Sequence, residues 1–286
     1  MYQSNGSGQQ SRQMVAELED TLLPSGRDSD RVRVFGHRGS PAPGRPENSV
    51  AAVTEALRQG ADGVEVDVRL TADDTLVCSH GPVLRTRTGA RLDVATSASG
   101  DLLGVAGRNS LATLAEVLAA AQRPVGTQVV VEAKPVTDIA VAVRTARALA
   151  DVLGAAAGSA DVTVSSFDPA LLAVIRTTCA DLPVRTALLG DTSAPAAAVV
   201  WRAHEDGHDE VHLPLVGVRR TPQAVETARS LGLAVTFWTV NRRRDLRWVA
   251  EFGVDAVITD DVPGARRELD RAAVGELAEA VAVASA

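Results

Sequence analysis

Short β-branched runs alternate with alanine-rich amphipathic segments along almost the whole chain from Val32 onward. This alternation is typical of βα units, in which parallel strands form a sheet and helices pack outside it. Eight runs have the composition of strands: "VRVFGH", "GVEVDV", "QVVVEAK", "VTVSS", "RTALL", "EVHLP", "AVTFWTV" and "DAVITD". Eight strands close a (β/α)8 TIM barrel. We therefore predict one barrel over residues 31–270, with a flexible tail at 1–30 and a helix or tail at 271–286.

A ninth β-like run, "TLVCSH", follows the second strand after only the polar turn "RLTADD". That turn is too short for a helical crossover, so the run is predicted to fold back as a hairpin. With the turn near Asp73, antiparallel pairing is expected to place His80 opposite Asp67. A long connecting segment at residues 81–110, which we call the excursion, shows weak periodicity and many turn formers. We expect it over the carboxyl-end face of the barrel, where such loops can cover a site.

Composition excludes several classes of protein. No apolar run approaches the roughly 20 residues that a bilayer span requires. The polar amino end lacks the apolar stretch of a secretory signal, so the expected location is the cytoplasm. A net charge of −7 and only 3% aromatic residues disfavour nucleic-acid binding. No nucleic-acid partner or membrane span is therefore expected, and the oligomeric state is left open.

Polar residues and one tryptophan concentrate at the carboxyl ends of the predicted strands. They are His37, Arg38, Glu65, Asp67, His80, Glu132, Lys134, Ser165, Ser166, Trp238, Asn241 and Asp260. In a barrel these strand ends share one face, so residues that are remote in sequence are expected to converge on a single pocket.

The acids in this set suggest a metal site. Glu65 and Asp67 are two apart on a strand, so their carboxylates face the same side. Within an apolar strand this arrangement needs positive charge between the acids. With Glu132 they could hold Mg²⁺ or Ca²⁺, which both take oxygen ligands. The alternative is a structural salt-bridge network inside the barrel, in which Lys134 could take part.

The two strand-end histidines suggest acid and base chemistry. His37 and His80 lie outside any typical zinc-ligand spacing, and imidazoles titrate near neutrality. Arg38 and Lys134 could hold a phosphate. The "HEDGHDEVH" stretch contains three more histidines, but it straddles a helix, a turn and a strand, which disfavours a metal site.

Four further residues are predicted to support this site, and one could line it. Asn48 or Ser49 is expected to cap the helix "SVAAVTEALRQG", with Glu47 beside its positive end. Trp238 could wall the pocket with an apolar face for a carbon chain, or it could pack in the core or at the rim. The supporting residues are Glu47, Asn48, Ser166 and Asn241.

The landmarks "GHRGS", "RPENS", "GADGVEVDVRLTADDTLVCSH", "VVVEAKP", "SSFDP", "FWTVN" and "GVDAVITDD" together resemble the glycerophosphodiester phosphodiesterase family, in the family's order. The resemblance implies a metal-dependent hydrolase that converts glycerophosphodiesters to sn-glycerol 3-phosphate and an alcohol. It implies Glu65, Asp67 and Glu132 as ligands of one Ca²⁺ or Mg²⁺ ion. It also implies His37 and His80 as the acid–base pair.

One departure from the family pattern keeps alternatives open. The family usually has Asp after the second histidine, whereas this chain has Gly81. One alternative is therefore a weakly active barrel that binds glycerol phosphates. Another is a relative with lysophospholipase D-like activity, because similar landmarks occur there.

Overall fold

The structure, a computed structural model, describes residues 31–85, 89–106, 111–122, 126–156 and 161–284. Its strands are β1 (Arg33–His37), β2 (Gly63–Leu70), β3 (Leu76–Cys78), β4 (Val83–Arg85), β5 (Arg91–Asp93), β6 (Gln128–Ala133), β7 (Asp161–Ser166), β8 (Val184–Leu189), β9 (Glu210–Pro214), β10 (Ala234–Trp238) and β11 (Ala256–Thr259). Its helices are α1 (Val50–Arg58), α2 (Ser99–Ala106), α3 (Leu114–Ala120), α4 (Ile139–Ala155), α5 (Pro169–Thr178), α6 (Ala196–Glu205), α7 (Leu215–Val218), α8 (Gln223–Ser230), α9 (Arg243–Phe252) and α10 (Val262–Ala284).

Eight parallel strands close into a barrel. Neighbours follow the order β1, β11, β10, β9, β8, β7, β6 and β2, and the pairing of β1 with β2 closes the ring. At least one helix separates each barrel strand from the next. The predicted (β/α)8 TIM barrel is thus confirmed, and each of the eight predicted runs overlaps one of its strands. Because the strands are parallel, their carboxyl ends lie on one face.

The structure bears differently on the two predicted end segments, residues 1–30 and 271–286. The predicted tail at 1–30 lies outside the described residues, and helix α10 continues through residue 270, the predicted end of the barrel segment. Among the described helices, none is long and apolar enough to cross a membrane.

Alternation along β1 separates the two layers of the core. Val34 belongs to the main core between strands and helices, whereas Phe35 points into the barrel and packs with Val130 and Ile258. Burying a side chain of this size contributes roughly 1.5–3 kcal/mol. Phe35 precedes His37 by two residues on the same strand face, so an apolar layer lies directly beneath the histidine.

Helix α1 begins at Ser49, whose hydroxyl accepts a hydrogen bond from the Ala52 N–H. Of the two predicted caps, the structure therefore selects Ser49 and leaves the Asn48 side chain for another contact. The helix buries Ala52, Val53 and Ala56 against the barrel. This packing holds the segment between β1 and α1 over the carboxyl end of β2.

Strand β3 folds back on β2 as predicted, but the predicted register is wrong by one residue. Val68 faces Cys78, so Asp67 comes opposite Ser79, whose N–H donates to the Asp67 carbonyl oxygen at 3.0 Å. The turn is centred on Asp73 itself, which shifts the pairing by one position. His80 follows the ladder directly and still reaches the Asp67 side chain.

The excursion after β3 contains secondary structure of its own. Strands β4 and β5 form an antiparallel hairpin, and α2 follows. Val94 and Leu102 pack with Val77 and Leu111 in a small core separate from that of the barrel. Weak periodicity in this stretch reflects short elements that bury few residues each.

Candidate active site

The end of β1 places two polar side chains at the mouth of the barrel. His37 ends the strand, and Arg38 follows with a left-handed φ of 52°. The tight turn requires Gly36, because a Cβ there would lie 2.5 Å from the Gly39 carbonyl oxygen. The Arg38 N–H donates to Glu65 Oε2 at 3.0 Å. The turn is thereby tied to the next strand.

Three carboxylates from neighbouring strands come together beside this turn. Glu65 and Asp67 share one face of β2, and Glu132 on β6 lies directly opposite Asp67. One oxygen from each carboxylate lies within 4.8 Å of the others. Glu65 Oε1 is buried and has no hydrogen-bond partner among the described residues. This all-oxygen donor set, with one oxygen unpaired, fits a hard divalent cation.

Lys134 and Arg38 also bring positive charge to these acids. Lys134 Nζ contacts Asp67 Oδ1 and lies 2.5 Å from Glu132 Oε1. Arg38 Nε lies 3.1 Å from Asp67 Oδ2. A salt-bridge network, the alternative that the sequence left open, is therefore present in the same place as the acid cluster. The ion pairs described here involve Asp67 and Glu132 but not Glu65.

The environments of two of these acids drive their pKa values apart. Burial and the nearby Asp67 carboxylate raise the pKa of Glu65 to about 8. Burial acts in the same direction on Asp67, but Lys134, the Asn48 amide and Arg38 outweigh it and lower the pKa of Asp67 to about 2. A divalent cation beside Glu65 would favour its charged form.

Each of the two histidines points Nδ1 at a carboxylate. His37 Nδ1 lies 2.6 Å from Asp260 Oδ1, and His80 Nδ1 lies 3.3 Å from Asp67 Oδ1. Because an ionised carboxylate only accepts, these contacts place a proton on Nδ1 of each ring. Burial lowers the pKa of His37, but the hydrogen bond to Asp260 and the charge of Glu65 outweigh it, so the pKa is raised overall.

Six of these residues line one cavity of about 220 Å³ at the carboxyl-end face: His37, Arg38, Glu65, His80, Glu132 and Lys134. The rest of its lining consists of Ser165, Phe167, Leu189, His212, Trp238 and Ile258. The Trp238 ring packs edge-on against Phe167 with centroids 5.6 Å apart, so this residue both walls the cavity and packs at its rim. The two roles that the sequence left open are compatible.

The excursion was expected to cover this cavity, but none of its described residues, 81–85 and 89–106, lines it. Its described residues line a neighbouring cavity of about 210 Å³, which shares Lys134 with the first. The excursion packs beside β3, at the outer edge of β2, because its apolar residues have their own small core there.

Glu47 and Asn48, predicted as supporting residues, hold other members of the site. Glu47 accepts a hydrogen bond from Arg38 Nη1 at 2.9 Å. Asn48 donates to Asp67 Oδ2 at 2.8 Å and accepts from the Asp67 N–H at 3.0 Å. Asn48 adopts a left-handed φ of 59°, which asparagine tolerates better than most residues.

Asn241 and Ser166 have different surroundings. Asn241 Nδ2 donates to Asp260 Oδ2 at 2.6 Å, and Asn241 Oδ1 accepts from the Asp260 N–H at 2.9 Å. Asn241 therefore orients the partner of His37. Ser166 is fully buried, and its hydroxyl donates to the Ala133 carbonyl oxygen at 2.7 Å. Ser166 thus joins two strand ends and does not line the cavity.

The loop after His80 is anchored by groups other than the side chain of residue 81. Arg69 donates twice to the His80 carbonyl oxygen, at 3.2 and 2.9 Å. The Ser79 hydroxyl donates to the Gly81 carbonyl oxygen at 2.9 Å. A Cβ at Gly81 would lie 3.7 Å from the nearest heavy atom, the Val83 carbonyl oxygen. An aspartate at this position therefore has room.

Comparison with known proteins identifies the family. The model of the glycerophosphoryl diester phosphodiesterase family matches residues 37–263, from the histidine that ends β1 to the start of α10. The chain belongs to this family. The resemblance predicted from the landmarks is thereby confirmed.

One curated relative and two solved structures match this chain along most of their own length. A Mycobacterium tuberculosis protein named "Probable glycerophosphodiester phosphodiesterase 1" is 37% identical over 244 residues, which cover 77% of this chain and 86% of that protein. The Thermotoga maritima glycerophosphodiester phosphodiesterase structure has a TM-score of 0.66 at 26% identity and covers 81% and 96% of the two chains. An Oleispira antarctica phosphodiesterase solved with its product sn-glycerol-3-phosphate has a TM-score of 0.71 at 21% identity, with 84% and 97% covered, and shows the same fold.

The sequence analysis assigned no role to three residues of this candidate active site. Asp260 and Ser165 were expected at the carboxyl-end face without an assigned contact. His212 was considered only as part of a histidine-rich stretch, but it is fully buried and lines the cavity. Strand alternation could have found it, because His212 and Glu210 share one face of β9. Among the described residues, the histidines of that stretch belong to no metal-binding cluster.

Proposed function

We propose that this chain is a metal-dependent phosphodiesterase that hydrolyses glycerophosphodiesters to sn-glycerol 3-phosphate and an alcohol. The observation that supports this most is a cluster of three carboxylates, two of which line one small cavity together with two histidines. Family membership points the same way. The proposed cofactor is one Ca²⁺ or Mg²⁺ ion held by Glu65, Asp67 and Glu132.

The proposed chemistry divides charge stabilisation among several groups. When bound, the divalent cation supplies Lewis-acid stabilisation of the charge that grows on the phosphoryl oxygens. Arg38 lines the cavity and can bind another phosphoryl oxygen through paired N–H donors. Lys134 adds a point charge beside the acids. Because Glu47 and Asn48 hold their partners before substrate arrives, little reorganisation is required.

The proposed proton transfers belong to the two histidines. One imidazole accepts a proton from the attacking oxygen, and the other donates a proton to the departing alcohol. Attack by water and attack by the neighbouring glycerol hydroxyl both need these same transfers. Asp260 and Asp67 hold the two rings by Nδ1, so Nε2 of each ring is the atom that exchanges a proton.

The test is release of glycerol 3-phosphate from glycerophosphocholine or glycerophosphoethanolamine. Activity with Mg²⁺ or Ca²⁺ is expected, with loss on EDTA addition and recovery when the cation is restored. Glu65→Gln is expected to abolish turnover, whereas Glu226→Gln, the same change on the exposed face of α8, is expected to leave it unchanged. No turnover of any glycerophosphodiester with either cation would reject the proposal.

Gly81 supports one competing function, a weakly active barrel that binds glycerol phosphates. Because an aspartate has room there, Gly81→Asp separates the two functions. A rise from undetectable to measurable turnover would favour the binding barrel. Turnover that is already present in the natural chain and changes only modestly would favour the enzyme.

A lysophospholipase D-like activity is the other competing function. The apolar wall formed by Phe167, Leu189 and Trp238 keeps this activity open. Faster turnover of lysophosphatidylcholine than of glycerophosphocholine would select it.

A further inference from the structure

The lining of the cavity contains two buried polar atoms that the proposed reaction does not use. Ser165 Oγ and His212 Nδ1 have no hydrogen-bond partner among the described residues. Ser165 is 1% exposed and His212 is 0% exposed, and both residues line the cavity. Buried polar groups nearly always have a partner. Two unpaired atoms on residues that line the same cavity therefore point to a ligand.

Strand alternation directs both residues toward the barrel interior. Ser165 lies two residues after Thr163 on β7, and the Thr163 hydroxyl donates to Glu210 Oε1 at 2.9 Å inside the barrel. His212 likewise lies two residues after Glu210 on β9. Ser165 is directly opposite Glu132 on the neighbouring strand. The residue that carries the unpaired hydroxyl, Ser165, therefore lies beside the acid cluster.

Glu210 determines which atom of His212 remains open. His212 Nε2 lies 3.1 Å from Glu210 Oε2, and Arg185 Nε pairs with the other carboxylate oxygen at 2.9 Å. A carboxylate held by arginine only accepts, so Nε2 carries a proton, and Nδ1 of the neutral imidazole is then an acceptor. The Ser165 hydroxyl can both donate and accept. An acceptor and a hydroxyl together match an alcohol group.

We infer that Ser165 and His212 form a subsite for the terminal hydroxyl of the glycerol arm, which makes the chain selective for diesters of a small polyol. This inference rests on the proposed function and adds the determinant of its substrate class. The cavity of about 220 Å³ is smaller than the roughly 300–1,000 Å³ of pockets for drug-sized ligands. It therefore takes one short arm, and the other alcohol of the diester extends into solvent.

The test compares two substrates that differ by one hydroxyl. These are glycerophosphocholine and the phosphocholine ester of propane-1,2-diol, which keeps the hydroxyl next to the ester carbon and lacks the terminal one. The natural chain is expected to prefer glycerophosphocholine about tenfold in kcat/KM, because the analogue leaves buried polar atoms unpaired. Ser165→Ala is expected to reduce this preference to about twofold by slowing turnover of glycerophosphocholine alone.

His212→Gln and Ser166→Ala complete the comparison. Glutamine keeps an N–H for Glu210 but loses the acceptor at the Nδ1 position, so the preference is expected to fall as in Ser165→Ala. Ser166→Ala removes the neighbouring hydroxyl, which binds Ala133 outside the cavity, and is expected to leave the preference unchanged. Far-ultraviolet circular dichroism checks folding, and Ser165→Ala alone decides if His212→Gln does not fold.

Two outcomes would overturn the subsite while leaving the proposed function standing. One is a natural chain that hydrolyses both substrates equally well. The other is a preference that persists unchanged in Ser165→Ala. Failure of the natural chain to hydrolyse either substrate would reject the proposed function and the subsite with it.

Discussion

His37 shows how one neighbouring side chain can determine the proton affinity and orientation of a candidate catalytic group. Asp260 contacts its Nδ1 at 2.6 Å, and Asn241 donates to the other Asp260 oxygen at 2.6 Å. The pair crosses from the first barrel strand to the residue that follows the last one. Burial alone would lower the pKa of His37, whereas the Asp260 hydrogen bond contributes to raising it.

We expect Asp260→Asn to lower the pKa of His37, because the substitution removes a negative partner that stabilises the imidazolium. The pH-activity limb that belongs to His37 should move to lower pH, with activity reduced about tenfold to hundredfold. The pH dependence of kcat/KM and NMR titration of the histidine measure both effects. Asp261→Asn is the control, since that carboxylate accepts from the Gly264 N–H instead. If this limb of the pH–activity profile stays at the same pH in Asp260→Asn, Asp260 does not set the pKa of His37.

The leaving group separates the roles of His37 and His80. In the phosphodiester of glycerol and p-nitrophenol, the leaving p-nitrophenolate departs without protonation. The alanine variant that lacks the general acid should therefore retain most activity on this substrate. The same variant should lose about 10²–10⁴-fold on glycerophosphocholine. The variant that lacks the general base should lose activity on both substrates. Identical losses for His37→Ala and His80→Ala on each substrate would argue against divided roles.

At the scale of elements, one turn residue connects the β2–β3 hairpin to the excursion. Asp73 Oδ1 accepts from the Thr71 hydroxyl at 2.6 Å and from the Ser99 N–H at 2.9 Å, and Oδ2 accepts from the Ser99 hydroxyl at 2.8 Å. Ser99 is the first residue of α2. These hydrogen bonds lower the pKa of Asp73 to about 2.

Asp73→Asn should destabilise the protein at neutral pH. A carboxyl whose folded-state pKa lies below its ordinary 3.8 stabilises the fold above that pH and loses this effect as pH falls toward about 2. The difference in urea midpoint between the natural chain and the variant should therefore shrink across this window. Asp74→Asn, which breaks an exposed pair with Arg144, should have a smaller effect. A difference that is constant with pH would contradict the role of the charge.

At the scale of the whole molecule, barrel closure brings together chemistry from distant parts of the chain. His37, Glu132 and Asp260 lie at or next to strand ends, and Glu65 lies within β2 directly opposite His37. These positions are separated by many residues, and the ring of parallel strands gathers them on one face. The cost is a buried carboxylate, Glu65, whose pKa burial and Asp67 raise to about 8.

In the absence of divalent cations, Glu65 should make the fold less stable as pH rises from about 4.5 to about 8. Across this window the unfolded carboxyl has lost its proton while the folded one retains it, so rising pH favours unfolding. The thermal midpoint of the natural chain relative to Glu65→Gln measures this contribution. Added Mg²⁺ or Ca²⁺ should raise the midpoint most near pH 8 and should have little effect on the variant. A relative midpoint that rises with pH in the cation-free protein would contradict this account.

The sequence by itself determined the βα order, the eight strands and the face on which the polar residues gather, because strand and helix periods are local properties of the chain. It also predicted the acid cluster, since residues two apart on a strand must face the same side. Tertiary structure alone decided the exact register of the hairpin, the pairing of His37 with Asp260 and the packing of the excursion beside the site. Each of these depends on which groups, distant in the sequence, meet when the barrel closes. A local sequence pattern carries no information about such contacts.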